Sequence, residues 1–70
     1  MHNFNFSPEL VNNVKNNWLV KDNANEFARC KTDAQWCLTF VAVAYKADLE
    51  LELAKEITDI AIYYIHENRD

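Results

Sequence analysis

The chain has 70 residues, half of them hydrophobic, and a formal net charge of −4 at pH 7. This apolar content excludes an intrinsically disordered chain. The excess of eleven acidic over seven basic side chains argues against binding to the phosphate backbone of nucleic acids. The longest apolar stretch, residues 36–45, is about half the length that a membrane-spanning helix needs, so no membrane association is expected.

The sequence contains no glycine and a single proline, Pro8. Glycine is the default residue where the backbone needs a positive φ, as in hairpin turns and at the ends of helices. Its absence predicts helices that are joined by tight connections, made mostly with negative φ. A chain of this length allows one domain. We therefore expect an all-α domain over residues 1–70, a compact bundle of three to four helices.

The first predicted helix covers residues 8–20. Ser7 can cap it, and Pro8 suits the first helical position because its missing N–H has no helical partner there. Phe6 and Val11 are spaced for an apolar contact across the cap. Apolar side chains then recur on one side at helical spacing, while asparagine and lysine occupy the other side. These signals predict an amphipathic helix.

A short second helix is expected next. Asp22 or Asn23 can cap it, and Asn23 with Glu26 resembles a capping box, in which the two side chains bond reciprocally to the backbone. Phe27 and Cys30 follow at a spacing of three residues and share one side of this helix. The helix is expected to end before Thr32, where a new start signal occurs.

The third predicted helix covers residues 33–47 and opens with a capping box of Thr32 and Gln35. Its polar positions form one narrow stripe, and the other positions are apolar. A helix that is apolar over so wide an arc is expected to be buried on several sides. The sequence therefore places the third helix at the centre of the bundle.

The fourth predicted helix is the longest and covers residues 49–68, with Asp48 as its cap. No glycine or proline forces a break before it, so a continuous helix over residues 33–68 is the alternative. The core is expected where the third and fourth helices face each other. Its predicted members are Trp36, Phe40, Val43, Leu53, Ile57 and Ile60.

No cluster of residues carries recognisable catalytic or metal-binding chemistry. Cys30 and Cys37 lack the spacing of zinc ligands, and His2 and His66 lie at opposite ends of the chain. Cys37 lies in an apolar helix, which is expected to raise its pKa, and Cys30 has no histidine within reach in the sequence. We therefore expect no metal, no cofactor and no enzymatic activity. A small thiol-dependent protein that uses Cys30 or Cys37 is the alternative.

The outer side of the fourth helix is the candidate interaction surface. Leu51, Ile62 and Ile65 cannot share the inner side with Leu53 and Ile57, so they form a second apolar stripe. Either the first two helices cover this stripe, or it binds a partner. The predicted partner interface consists of Leu51, Glu52, Lys55, Glu56, Asp59, Ile62 and Ile65.

These observations favour a non-enzymatic, cytoplasmic protein that acts through protein–protein contacts, as an inhibitor or regulatory accessory protein of phage, plasmid or bacterial type. Its partner is expected to have a basic rim that complements the acidic residues of the fourth helix. A homodimer is also expected, because a small core gains stability from association and a two-fold contact uses the same stripe twice. A DNA-mimicking inhibitor is the remaining alternative.

Overall fold

The computed structural model describes residues 6–67. This part of the chain contains no strand, which confirms the predicted all-α class. The five helices are α1 (Pro8–Lys15), α2 (Trp18–Asp22), α3 (Ala24–Phe27), α4 (Asp33–Lys46) and α5 (Glu52–Glu67). As predicted for the third helix, α4 is central, since each of the other helices packs against it. As predicted for the last, α5 is the longest, with 16 residues; the end expected at residue 68 lies outside the described residues.

The start of α1 is as predicted. The Ser7 hydroxyl accepts a hydrogen bond from the Leu10 backbone N–H at 3.2 Å, and Pro8 occupies the first helical position. Phe6 and Val11 are both buried in the core, on either side of this cap. The cap therefore fixes where α1 begins, and the apolar pair fixes the path of the chain into it.

The prediction of a single helix over residues 8–20 was wrong, because the helix is interrupted at Asn16 and Asn17. The Asn16 side-chain amide donates to the Asn12 carbonyl at 2.9 Å. Asn17 then adopts an extended conformation, with φ −73° and ψ 146°, and its side-chain oxygen accepts from the Leu19 N–H at 2.9 Å. Asparagine side chains offer the backbone these local alternatives to helical bonds. They divide the predicted helix into α1 and α2.

Asn23 ends one helix and starts the next, but it forms no capping box. Its side-chain amide donates to the Leu19 carbonyl at 3.0 Å, at the end of α2. No side-chain hydrogen bond caps the start of α3, so the predicted pairing of Asn23 with Glu26 was wrong. The same carbonyl also accepts the backbone N–H of Asn23 at 3.1 Å, so the asparagine closes the end of α2 with both its backbone and its side chain.

The predicted capping box at the start of α4 is confirmed. The Thr32 hydroxyl accepts from the Gln35 N–H at 3.1 Å, and the Gln35 side-chain oxygen accepts from the Thr32 N–H at 3.2 Å. The same oxygen also accepts from the Lys31 N–H at 2.6 Å. Three backbone donors that precede or open the helix are thus satisfied within the segment itself.

The chain leaves the helical path between α4 and α5, so a continuous helix over residues 33–68 is excluded. Asp48 has a φ of 57° and follows the end of α4, so it does not cap α5 as predicted. The last helix begins at Glu52 and not at residue 49. The carbonyl of Leu51 accepts its first helical bond, from the Lys55 N–H at 3.1 Å.

The core lies around α4, and α1 supplies more of it than the sequence suggested. Three of the six predicted core residues, Phe40, Val43 and Ile57, are buried, whereas Trp36, Leu53 and Ile60 are half-buried and pack against the core. The buried apolar residues are Phe6, Leu10, Val11, Val14, Leu19, Val20, Phe27, Cys37, Phe40, Val43, Ala44, Ala54 and Ile57. Only two of them belong to α5, so most of that helix faces outwards.

Candidate functional site

A groove of about 600 Å³ lies between the end of α4 and the first half of α5. Four of the seven predicted interface residues line it. The lining residues are Tyr45, Leu49, Glu50, Leu51, Glu52, Ala54, Lys55, Thr58 and Asp59. The structure therefore brings part of the predicted surface together with residues of α4 and of the connection, which the sequence had not assigned to it.

Two hydroxyl groups join the walls of this groove. The Tyr45 hydroxyl lies 3.4 Å from the Thr58 hydroxyl, and Thr58 itself donates to the Ala54 carbonyl at 2.9 Å. The Tyr45 side chain of α4 is thereby held against the second turn of α5. The Tyr45 side chain nevertheless remains exposed, with 61% of its surface accessible.

The groove combines an apolar floor with an acidic rim. Leu49 and Leu51 are half-buried against the core and Ala54 is buried, so the floor of the groove is apolar. The rim consists of three carboxylates and one ammonium group, those of Glu50, Glu52, Asp59 and Lys55. None of these four forms an ion pair within residues 6–67, where the ion pair found joins Lys15 and Asp33. The rim therefore has a formal charge of −2 that no ion pair among residues 6–67 compensates.

The other three predicted interface residues lie elsewhere on α5. Glu56 lines a second cleft with Asn13 and Asn17, and Glu52 borders both this cleft and the groove. Ile62 and Ile65 lie beyond the groove, and 49% and 62% of their side chains are exposed. The structure thus divides the predicted interface into a groove, an apolar end and an adjoining cleft that shares Glu52 with the groove.

The first two helices leave the outer stripe of α5 uncovered. Both α1 and α2 pack against α4. Leu51 is half-buried against the core, but about half or more of the surface of Ile62 and of Ile65 is exposed to solvent. The alternative in which α1 and α2 bury this stripe within the chain is therefore wrong for Ile62 and Ile65.

The two thiols lie in different settings, one buried and one half-buried. Burial raises the pKa of Cys37 to about 11, and the charge of Asp33 raises it further, against a smaller opposing effect of Lys15. The prediction of a raised pKa is thus confirmed. Cys30 is half-buried, and its Sγ lies 3.4 Å from the Thr39 hydroxyl and 3.7 Å from the Gln35 carbonyl. Both contacts are to neutral oxygen atoms.

Exposed Tyr63 is the only other group with a resolved shift among the described residues. A hydrogen bond with Glu67, one turn further along α5, raises the pKa of the Tyr63 hydroxyl. The carboxylate charge acts in the same direction. This pair holds one flank of α5 in a local side-chain contact, away from the groove.

Within residues 6–67, no three side chains of His, Cys, Asp or Glu come together as a metal ion would need; His2 lies outside this range. None of the helices in this part of the chain combines the length and the apolar character of a bilayer-spanning segment. No match to this chain was found among protein-family models, curated protein sequences or solved structures.

Proposed function

We propose that this chain is a non-enzymatic binding protein whose groove takes a basic segment of another protein. The acidic, apolar-floored groove between α4 and α5 supports this proposal most directly. An arginine or lysine side chain can place its aliphatic stem on Leu49 and Leu51 while its charged end reaches the carboxylates of the rim. Both the shape and the charge of the groove therefore favour the same class of ligand.

The ring of Tyr45 adds a second attraction for a cation. A guanidinium group over an exposed aromatic ring gains about 0.5–1 kcal/mol, and Tyr45 is exposed at the edge of the groove. Lys55 stands among the carboxylates and disfavours a second cation next to it. We therefore propose a partner with one or two basic residues at the contact and not a long basic tract.

Binding of this kind would make the protein an inhibitor or an accessory protein, acting by covering or positioning its target. The charge on the rim mainly accelerates association, because complementary charges steer the two proteins towards each other. A cytoplasmic setting is part of the proposal, since Cys30 and Cys37 are both free thiols and cytoplasmic thiols are kept reduced.

The test is a titration of the protein, observed by NMR, with a short amphipathic peptide that contains arginine. The matched control is the same peptide with citrulline, which keeps the shape of arginine and lacks its charge. We expect the arginine peptide to shift the backbone signals of residues 49–59, and the citrulline peptide to bind at least about fivefold more weakly, a loss of roughly 1 kcal/mol. Equal binding of the two peptides, or shifts confined to other residues, would contradict the proposal.

A second experiment uses the whole protein as bait in an extract of its native host. The wild-type chain is compared with Asp59→Lys, which reverses a charge in the groove, and with Glu26→Lys, which makes the same change on exposed α3. A specific target should be retained by the wild type and by Glu26→Lys, and lost by Asp59→Lys. A target retained equally by all three would place its binding site outside the groove.

A further inference from the structure

The hydrogen bond between the hydroxyl groups of Tyr45 and Thr58 has a defined direction. Thr58 has one hydroxyl proton, and it donates that proton to the Ala54 carbonyl at 2.9 Å. In the 3.4 Å contact between the two hydroxyl groups, Thr58 therefore accepts and Tyr45 donates. Because the phenol proton is directed at Thr58, it is not used on the carboxylates of the rim.

This hydrogen bond holds the Tyr45 ring at the edge of the groove. Tyr45 lies in the last turn of α4 and Thr58 in the second turn of α5, and both line the groove. The ring is attached to α4 through its own backbone and to α5 through its hydroxyl, so both ends of the side chain are restrained. With 61% of its surface exposed, Tyr45 still presents its ring to a ligand. The groove therefore contains an aromatic surface of restrained orientation.

The carboxylates of the rim favour a ligand that carries several N–H donors. A carboxylate accepts hydrogen bonds and donates none, and those of Glu50, Glu52 and Asp59 form no ion pair within residues 6–67. Glu50 belongs to the connection between α4 and α5, whereas Glu52 and Asp59 lie about two turns apart on α5. The acceptors are thus distributed along the rim, and a ligand reaches more than one of them only if its donors point in different directions.

We propose that the groove selects arginine over lysine, with Tyr45 as the residue that sets this preference and Thr58 as the residue that positions the Tyr45 ring. A guanidinium group is planar, carries five N–H donors and stacks on aromatic rings, whereas an ammonium group carries its three donors on one atom and has no plane to stack. This inference rests on the proposed function, which admits either basic side chain, and it names the one that the groove recognises.

Stacking on Tyr45 and binding to the carboxylates are compatible for arginine. The N–H groups of a guanidinium lie in its own plane, so a guanidinium parallel to the Tyr45 ring directs its donors outwards, towards the rim. An ammonium is more strongly hydrated and loses more of its hydration when it makes the same contacts. The aromatic contact therefore adds to the charge attraction for arginine and contributes less for lysine.

The test compares three peptides that differ at one position, which holds arginine, lysine or citrulline. Lysine keeps the charge of arginine and lacks its plane, whereas citrulline keeps the plane and lacks the charge. We expect the wild-type protein to bind the arginine peptide at least about fivefold more tightly than the lysine peptide, which corresponds to roughly 1 kcal/mol and to the upper end of an exposed cation–π contact.

Variants of Tyr45 and Thr58 separate the ring from the hydrogen bond that holds it. Tyr45→Leu keeps an apolar side chain without the ring and should abolish the preference for arginine. Tyr45→Phe and Thr58→Val remove the same hydrogen bond, so each should reduce the preference to about twofold, and the double variant should reduce it no further. Thr58→Ser keeps the hydroxyl and should retain the preference. The matched control is Tyr63→Phe, because Tyr63 is an exposed tyrosine outside the groove.

The ratio of the arginine and lysine affinities distinguishes recognition from a general loss of structure, which would weaken both peptides alike. Circular dichroism should show the wild-type helical signal for all these variants. Equal binding of arginine and lysine, with citrulline weaker than both, overturns this inference and leaves the proposed function standing. Equal binding of arginine and citrulline contradicts the proposed function and this inference with it. A full preference for arginine in Thr58→Val overturns the role of Thr58.

Discussion

The backbone N–H of Leu49 donates to the carbonyl of Ala44 at 2.9 Å, across the end of α4. The N–H of Asp48 donates to the Tyr45 carbonyl at 3.0 Å inside this bond. Together they form a Schellman motif, which needs a residue with positive φ at the position of Asp48. Glycine usually occupies that position, and this chain has none. An aspartate with a φ of 57° ends α4 and turns the chain towards the groove.

Replacing Asp48 with glycine should stabilise the protein. Glycine adopts positive φ without the steric cost that an aspartate bears, and the change also removes a negative charge from the C-terminal end of a helix. A left-handed residue other than glycine costs about 1–2 kcal/mol, and the extra backbone entropy of glycine offsets about 0.5–1 kcal/mol of this. We therefore expect Asp48→Gly to raise the free energy of unfolding by about 0.5–1 kcal/mol, measured by urea denaturation. Asp48→Val should lower it instead, since a β-branched residue tolerates positive φ poorly. Equal stability of the two variants would show that the backbone of residue 48 is not strained.

The sequence predicted the helices best where the start signal is local. Ser7 and Thr32 cap as expected, because the atoms they bond lie within three residues of them. Asn17 and Asp48 were assigned wrongly, because such residues suit the start, the end or the interruption of a helix equally well. Which role they take is decided by the packing of the neighbouring helices on α4, and periodicity does not contain that information.

Only part of the candidate site was predicted, because the rest also depends on how the helices pack. The spacing of apolar residues in the last helix identified its exposed side, where Ile62 and Ile65 lie. The contribution of Tyr45 was missed, because an apolar position on a central helix is expected to be buried. The spacing of Leu38, Val41 and Tyr45 was the available signal. These side chains are exposed because of where α5 packs against α4. The pattern of residues within one helix does not predict where a neighbouring helix will pack.

Asn17 should contribute measurably to stability as the cap of α2. Its side-chain oxygen accepts the Leu19 N–H at 2.9 Å, and loss of such a cap costs typically about 1 kcal/mol. We expect Asn17→Ala to lower the free energy of unfolding by that amount, and Asn17→Asp to retain most of it. Asn13→Ala is the control, because this exposed asparagine lies inside α1 and away from its cap. It should be neutral or slightly stabilising, since alanine is the better helix former.

Phe40 and Trp36 of α4 should differ in their contribution to the core. Phe40 is fully buried, whereas Trp36 is half-buried, with its ring stacked on Phe27 at 5.4 Å. The Lys15 ammonium also lies 5.4 Å from the Trp36 ring centroid. Phe40→Ala should therefore cost about 3–5 kcal/mol, and Trp36→Ala less, because water already reaches part of its surface. Denaturant titrations that rank the two in the opposite order would place the centre of the core at Trp36.

Cys37 should resist modification as long as the protein is folded. The thiol is buried, its pKa is raised to about 11, and the thiolate is the reactive form. At neutral pH an alkylating reagent should therefore modify Cys30 first and reach Cys37 only when the chain unfolds. Mass spectrometry after short labelling, with and without denaturant, distinguishes one modified thiol from two. Rapid modification of Cys37 in the native protein would instead support the thiol-dependent alternative.

The raised pKa of Cys37 also predicts how stability depends on alkaline pH. The folded state holds the thiol proton more tightly than the unfolded state, in which the pKa lies near the ordinary value of 9.0. The resulting stabilisation is complete below pH 9.0 and is lost as the pH rises through about 11. Unfolding free energies measured across this range should therefore fall more steeply for the wild type than for Cys37→Ala. Subtracting one curve from the other removes the tyrosine and lysine titrations that the two proteins share, so parallel curves would show that the thiol keeps its ordinary pKa in the folded protein.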